Sequence, residues 1–273
     1  MNWQTKIEIP ASDWKIGYDD RILLLGSCFS DEMASRLAAR GFSITANPMG
    51  TMYNPCSVSA CLEHHEIQLI QHDGLWHSML HHGSFSSPDY DRTMTNCIAS
   101  LHRAATAFAE ATVVVVTFGT AWVYEQDGQI VANCHKLPAS CFTRRRLSVE
   151  EVVRLWQPIV LAHPEKHFLF TVSPIRHRQD GYHANQLSKG ILLEAEDRLV
   201  SALPNASYFP SYEILLDELR DYRFYADDML HPSKQAADYI FERFTETYMT
   251  KETCNRMNQL HAIWLRQQHR PLH

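Results

Sequence analysis

The chain has 273 residues, of which 45% are hydrophobic and 21% are charged, and its formal net charge is −6. This length suits one large α/β domain or two small ones, and the composition is that of a globular protein. The acidic balance disfavours nucleic acid as a partner, because nucleic-acid binding needs a basic face.

The N-terminus and the cysteines bear on location. The first 20 residues carry several charged side chains and lack the apolar core of a signal peptide. No apolar run reaches the length of a transmembrane helix. The seven cysteines are odd in number and include no C-x-x-C pair, which indicates reduced thiols. We therefore expect a cytoplasmic protein with no membrane partner.

Sixteen histidines leave a metal site as a minor alternative. However, no H-E-x-x-H motif occurs, and the adjacent pairs His64-His65 and His81-His82 cannot easily face one ion from a strand or helix. We expect no metal and no other cofactor, and the sequence does not indicate an oligomeric state.

The first predicted elements form a βα unit followed by a second strand. The apolar run at 22–25 ends at Gly26 and is typical of a buried parallel strand. Ser30 is the predicted cap of the next helix, whose apolar residues at 33–38 form one stripe. Residues 42–45 read as the second strand.

The centre of the chain holds the strongest strand signal, at 112–119, preceded by a predicted helix at 93–109. A hairpin is expected at 124–132, around Asp127-Gly128. The remaining predicted elements are a helix after the capping box of Ser148 and Glu151, a strand at 168–172, a helix at 187–199, a strand at 207–209, a helix opened by Pro232 and a helix at 251–267.

Strands and helices alternate along the chain, which is typical of a doubly wound α/β/α sandwich. We therefore predict one three-layer domain over residues 1–273, with a mainly parallel sheet. Segments rich in turn residues predict insertions at about 47–90 and 120–147.

Ligands of such sheets bind outside the carboxyl ends of the strands. Three segments with reactive or polar residues follow predicted strands, and a fourth lies in the C-terminal loop. They are Gly26-Ser27-Cys28, Phe118-Gly119-Thr120, Ser173-Pro174-Ile175-Arg176-His177 and Asp227-Asp228-Met229-Leu230-His231. The spacing of Asp228 and His231 lets the carboxylate hold one imidazole nitrogen, so that the other can take a proton from a nucleophile.

These motifs, in this order, resemble the GSCFA-domain proteins of bacteria. The resemblance rests on GSCF at 26–29, NPMGTMYNP at 47–55, FGTAW at 118–122, SPIRH at 173–177 and D-x-x-H-P-S at 228–233. That family is similar to the SGNH/GDSL hydrolases, which cleave acyl esters with a Ser-His-Asp triad on a flavodoxin-like sheet. The resemblance implies the same sheet and an esterase-type activity on an acyl ester, with a carbohydrate ester as one candidate substrate.

The resemblance also assigns roles. Cys28 takes the nucleophile position, Ser27 takes the position of the usual aspartate, and Asp228 and His231 complete the triad. The N–H of Gly50 maps onto an oxyanion donor. The block that starts at Gly119 places Ala121 where an asparagine is usual, so Asn54, Asn133 or the hydroxyl of Thr120 would have to replace that donor.

The choice between Ser27 and Cys28 stays open in the sequence, with a preference for Cys28. A helix N-terminus lowers a thiol pKa, and His231 would then complete a Cys-His-Asp set. Cys28 could instead be a small buried residue, and Ser27 could cap the helix.

Further substrate-binding candidates have structural alternatives. Arg176 and His177 could meet the substrate or form a salt bridge with Asp180, and His135 could line the pocket or lie in a loop. The basic run at 144–146 could hold an anionic substrate, although a solvated loop before a helix is the preferred interpretation.

Two classes of function therefore remain. The first is an acyl-ester hydrolase, or a related O-acyltransferase, that acts on a small-molecule or carbohydrate ester. The second is a binding module for a glycan or acylated ligand on a scaffold that has lost hydrolysis, which Ala121 favours.

Overall fold

The structure is a computed structural model that describes residues 4–268. The strands are β1 (Arg21–Gly26), β2 (Ser43–Ala46), β3 (Leu69–His72), β4 (Leu75–Ser78), β5 (Val113–Phe118), β6 (Trp122–Gln126), β7 (Gln129–Val131), β8 (Thr143–Arg146), β9 (His167–Val172) and β10 (Ala206–Tyr208). The α-helices are α1 (Cys28–Ala38), α2 (Pro55–Ala60), α3 (Tyr90–Glu110), α4 (Val149–Leu161), α5 (Tyr182–Ala202), α6 (Ser211–Glu213, continuing as a π-helix over Ile214–Leu219), α7 (Lys234–Tyr248) and α8 (Lys251–Gln268).

The central sheet has five parallel strands in the order β2-β1-β5-β9-β10. This is the flavodoxin-like order, in which the first strand lies between the second and third strands of the sheet. Two small antiparallel sheets, with strand orders β3-β4 and β7-β6-β8, lie within the segments 47–90 and 120–147. The predicted α/β sandwich with a parallel sheet is confirmed.

Helices cover both faces of this sheet, because successive strand residues point to opposite sides. Leu23 and Leu25 pack in a core with residues of α3, α4 and α5. Ile22 and Leu24 pack in a second core with residues of α1, α7 and α8. Every residue of β5 is buried, so the valine run is explained by apolar contacts on both sides of a central strand.

Three local predictions differ from the structure. Ser30 was the expected cap of α1, but the cap is Ser27, and Ser30 is a buried residue of the first turn. The segment 144–146 is not a solvated loop but part of β8, which pairs with β6. Helix α7 begins at Lys234 rather than at Pro232, since the side chain of Ser233 accepts the cap hydrogen bond.

Between residues 4 and 268, no helix combines the length and the apolar character needed to cross a bilayer.

Candidate active site

The site lies at the switch point of the sheet. The chain leaves β1 for β2 on one side, whereas β5 connects to β9 on the other side. The carboxyl ends of β1 and β5 therefore diverge into loops that leave a crevice between them, which is where ligands bind in open α/β sheets.

The turn after β1 is held tightly against β5. Gly26 has a φ of +125°, and a Cβ at this position would lie 2.0 Å from the carbonyl oxygen of Thr117. The N–H of Gly26 donates to Oδ1 of Asn47 at 2.8 Å, and the N–H of Ser27 donates to the Thr117 carbonyl at 3.2 Å. Only glycine fits this close approach of two backbones.

The two candidate nucleophiles of this turn lie in different environments. Ser27 is 1% exposed, and its hydroxyl oxygen accepts a hydrogen bond from the N–H of Phe29, as a helix cap does. Cys28 is partly exposed, and its Sγ lies 3.6 Å from Nε2 of His231. The structure thus brings Cys28, and not Ser27, to the histidine.

The histidine and its acid belong to one local turn before α7. Nδ1 of His231 lies 2.5 Å from Oδ2 of Asp228. Oδ1 of Asp228 accepts hydrogen bonds from the N–H groups of Leu230 and His231, at 2.8 and 3.0 Å. These backbone donors, together with the imidazole, lower the pKa of Asp228 to about 2. The ionised carboxylate favours a proton on Nδ1, which leaves the Nε2 lone pair facing the thiol.

Arg176 ties this turn to the loop that follows β9. Its backbone N–H donates to the carbonyl of Leu230 at 3.1 Å, and its guanidinium donates to the carbonyl of Met229 at 3.1 Å. Asp180, the expected partner of Arg176, forms an ion pair with Arg144 instead.

Burial raises the pKa of the Cys28 thiol. The N–H groups of Cys28 and Phe29 act in the opposite direction, and Asp31 and Glu32 add to the increase. The sequence-based expectation of a lowered pKa is wrong, because desolvation outweighs the helix end. The thiol therefore carries its proton at neutral pH and needs a base.

Two clefts meet at Cys28 and His231. The first, which we call the aromatic cleft, has a volume of about 440 Å³ and is lined by residues that include Tyr53, Trp122, Tyr124, Arg144, Arg176 and Arg178. The second, the helical cleft, has a volume of about 910 Å³ and runs between α1, α7 and α8, with Phe29, Phe241 and Trp264 in its wall. Cys28 and His231 line both clefts.

Most of the expected oxyanion groups are already engaged. The N–H of Gly50 donates to the Asn47 carbonyl at 2.8 Å, so this group is not free for a substrate. The N–H groups of Gly119 and Thr120 both donate to the Tyr53 carbonyl, at 2.7 and 2.9 Å. In this structure, the three N–H groups therefore already have acceptors within the protein.

Two of the three side chains suggested as replacement donors, those of Asn54 and Thr120, are also engaged. Asn54 is 7% exposed and caps α2, with its oxygen accepting from the N–H of Ser57 and its amide donating to the Ser57 hydroxyl. The Thr120 hydroxyl lines the aromatic cleft but is bonded to Ser188 at 3.0 Å. Ala121 is fully buried, and its N–H donates to the same Ser188 hydroxyl.

The two remaining histidine candidates, His177 and His135, lie in different places. His177 lines the aromatic cleft, and its buried Nε2 has no hydrogen-bond partner within residues 4–268. Burial, with a smaller effect of Lys189, lowers the pKa of His177 to about 4. His135 lies elsewhere, since its Nε2 is 2.8 Å from the carbonyl of Ser78 and its ring lies 4.5 Å from that of His77. The interpretation of His135 as pocket-lining is wrong.

Lys189 is a supporting residue that the sequence reasoning missed. Its buried Nζ donates to the carbonyls of Gly119 and Ser173, both at 2.7 Å, and so bridges the ends of β5 and β9. Its position three residues before Leu192, on the apolar stripe of α5, was the available signal. Burial lowers the pKa of Lys189 to about 7.

In the part of the chain that the structure describes, no group of three or more His, Cys, Asp or Glu side chains could hold a metal ion.

Solved structures whose chains are similar to this one include two carbohydrate esterases. A variant of an acetyl-xylooligosaccharide esterase from Geobacillus is 12% identical, with a TM-score of 0.45 over 87% of this chain and 97% of that chain. A family 3 carbohydrate esterase from Clostridium thermocellum is 14% identical, with a TM-score of 0.40 over 88% of this chain and 98% of that chain. At such identities, a similar fold does not establish a shared activity.

No curated protein matches this chain in sequence. The sequence model of the GSCFA family does match, over residues 21–244. This match covers most of the chain, from β1 through most of α7, and includes every residue of the candidate triad. The protein therefore belongs to the GSCFA family.

Proposed function

We propose that this protein hydrolyses acyl esters with Cys28 as the nucleophile, His231 as the general base and acid, and Asp228 as the group that orients the imidazole. The observation that carries the proposal is the line of contacts from Sγ of Cys28 to Nε2 of His231, at 3.6 Å, and from Nδ1 of His231 to Asp228, at 2.5 Å. This is the geometry of a nucleophile, a base and an orienting acid.

Because the pKa of the Cys28 thiol is raised, the base has to remove the thiol proton as the attack takes place. Nε2 of His231 takes the thiol proton as Sγ attacks the acyl carbonyl carbon, which becomes a tetrahedral oxyanion. The oxyanion collapses, the C–O bond to the alcohol breaks, and His231 returns the proton to the leaving oxygen. Water then attacks the thioester with the same base, which releases the acid and restores the thiol.

The oxyanion needs hydrogen-bond donors that are free in the resting protein. The N–H of Cys28, at the first position of α1, is one such group, because no carbonyl among the described residues accepts it. His177 supplies the second donor in this proposal, since the residue lines the same cleft as Cys28 and its buried Nε2 has no hydrogen-bond partner among the described residues. Each oxyanion donor of this kind lowers the activation barrier by about 3–4 kcal/mol.

The aromatic cleft supports a carbohydrate ester as the substrate. Tyr53, Trp122 and Tyr124 present aromatic rings beside Cys28, and such rings suit the apolar face of a sugar. The cleft volume of about 440 Å³ is in the range of small-molecule sites.

One observation favours a second candidate, a binding module without hydrolysis. The N–H of Gly50 is bonded within its own loop, and Ala121 is buried, so two usual donors are missing. An O-acyltransferase would use the same triad but would pass the acyl group to an alcohol instead of water.

The test is an assay with para-nitrophenyl acetate and an O-acetylated sugar, using the purified protein and the variants C28A, H231A and S27A. We expect C28A and H231A to lower kcat by about 10³-fold or more. The matched control S27A should keep most of the activity but lower the free energy of unfolding by about 1 kcal/mol, because it removes a helix cap.

Activity that survives all three substitutions would reject the triad, and loss in S27A alone would make Ser27 the nucleophile. Mass spectrometry during turnover should find the acyl group on Cys28. An inactive wild-type protein that still binds the acetylated sugar would favour the binding module, and faster turnover with an added alcohol would favour the acyltransferase.

A further inference from the structure

The aromatic cleft has an unusual charge balance. Arg144, Arg176 and Arg178 line it, and Asp180 is the one carboxylate in its wall among residues 4–268. Asp180 is already paired with Arg144. The cleft is therefore cationic in a chain whose formal net charge is −6, and a charged concave surface concentrates ligands of the opposite sign.

Two of these arginines are held in place by aromatic rings. The guanidinium of Arg144 lies 4.1 Å from the ring centroid of Trp122 and is fixed by Asp180. That of Arg176 lies 4.5 Å from the ring centroid of Tyr182 and donates to the Met229 carbonyl. A stacked guanidinium loses little further freedom when it binds a carboxylate or phosphate.

Arg178 is the free charge of the cleft. It is exposed, and its side chain forms no ion pair or hydrogen bond with any described residue. The helical cleft differs, because Arg36, a cation in its wall, is paired with both Glu32 and Asp238. Charges in the helical cleft are thus largely neutralised, whereas the aromatic cleft has an excess of positive charge.

An anionic oxygen bound in this cleft would supply a counter-charge for the arginines.

From this arrangement we infer that the natural ester carries an anionic group, a carboxylate or phosphate, which binds in the aromatic cleft while the ester carbon lies at Cys28. The inference rests on the proposed hydrolase function. The anion belongs either to the acyl part, as in a dicarboxylic half-ester, or to the alcohol part, as in an acylated sugar acid.

The test uses matched pairs of esters. Para-nitrophenyl hemisuccinate is compared with para-nitrophenyl butyrate for the acyl part, and O-acetyl glucuronate is compared with O-acetyl glucose for the alcohol part. We expect a higher kcat/KM for the anionic member of one pair, and the preferred pair identifies which part carries the charge. Added salt should reduce this preference.

The variant R178Q should lower kcat/KM for the preferred anionic ester by about tenfold and leave its neutral partner within about twofold. R178K, which retains the charge, should keep most of the preference. The control K234Q removes one positive charge from the wall of the helical cleft and should leave kcat/KM unchanged for both the anionic and the neutral ester. Equal kcat/KM within both pairs, or an equal effect of R178Q on both members, would overturn the inference.

A binding measurement separates failure of this inference from failure of the hydrolase proposal. Calorimetry with C28A should show binding of sodium glucuronate or succinate that the double variant C28A/R178Q loses. Such binding without hydrolysis of any ester would remove the proposed function and keep the anion site. Hydrolysis with neither anion binding nor anion preference would keep the proposed function and remove the anion site.

Discussion

The turn that carries Cys28 and the turn that carries His231 are built in opposite ways. The first lies in the sheet, where the N–H of Ser27 donates to the Thr117 carbonyl and the N–H of Met52 donates to the Gly26 carbonyl. Both Ser27 and Gly26 are buried. The position of Cys28 is therefore set by the core of the domain.

The second turn is exposed and is held mainly by itself. The side chains of His231 and Asp228 are 48% and 44% exposed, and the carboxylate accepts from its own turn. Its described links to the rest of the site are the two hydrogen bonds from Arg176. The difference suggests that changes to the buried residues of the first turn act on stability and that changes in the second act on catalysis, and the following experiments test this division.

The largest effect is expected for D228N, which keeps the side-chain oxygen but removes the charge. Because the wrong imidazole tautomer would then be favoured, kcat should fall by about 10²–10⁴-fold. The melting temperature should change little, since exposed ion pairs contribute little to stability. The neighbouring exposed Asp227 offers the control D227N, which should retain activity, and an equal loss in both variants would refute the assignment of Asp228.

The substitution G26A tests the turn after β1, which carries Cys28. The added Cβ would lie 2.0 Å from the Thr117 carbonyl oxygen at a φ of +125°, so we expect a loss of about 3 kcal/mol or more in the free energy of unfolding. The control G128A, with a φ of +79° and no atom within 4 Å of the added Cβ, should cost about 1 kcal/mol. Urea denaturation measures both, and similar costs would mean that the turn can relax.

The substitution R176M tests the tether of the histidine turn. It removes the guanidinium bond to the Met229 carbonyl, and we expect kcat on a neutral ester to fall about tenfold with a melting temperature close to that of the wild type. The control R223M removes an exposed arginine that pairs with Asp221 and should change neither quantity.

The last prediction concerns the pH dependence of the free energy of unfolding. His177 has a pKa of about 4 in the folded protein, against an ordinary value of 6.5, because it is buried. The unfolded chain binds more protons between these values, so the stabilising contribution is complete above pH 6.5 and is lost as the pH falls toward 4. Urea denaturation across this range should show a smaller pH dependence for H177Q than for the wild type, and identical slopes would contradict the burial of this imidazole.

Local order was predictable from the sequence because its causes are local. The buried valine run of β5, the capping box of Ser148 and Glu151, and the hairpin at Asp127-Gly128 depend on neighbouring residues. The contact between Asp228 and His231 also spans three residues only, and the i to i+3 spacing predicts it. The alternation of these elements then predicts the layered fold.

Tertiary packing decided what the residue types left open. The sequence leaves the choice between Ser27 and Cys28 open, with a preference for Cys28, and the approach of the turn to Thr117 determines which one is buried as a cap. Gly50 and Asn54 have the right chemistry for substrate binding, but hydrogen bonds within their own loop engage them.

The sequence by itself thus determined the elements, their layering and the acid–histidine pair. Only the folded chain decided which of Ser27 and Cys28 faces His231, which donors are free and what charge the clefts carry, because each depends on groups far apart in sequence that compete for the same hydrogen bonds and the same solvent.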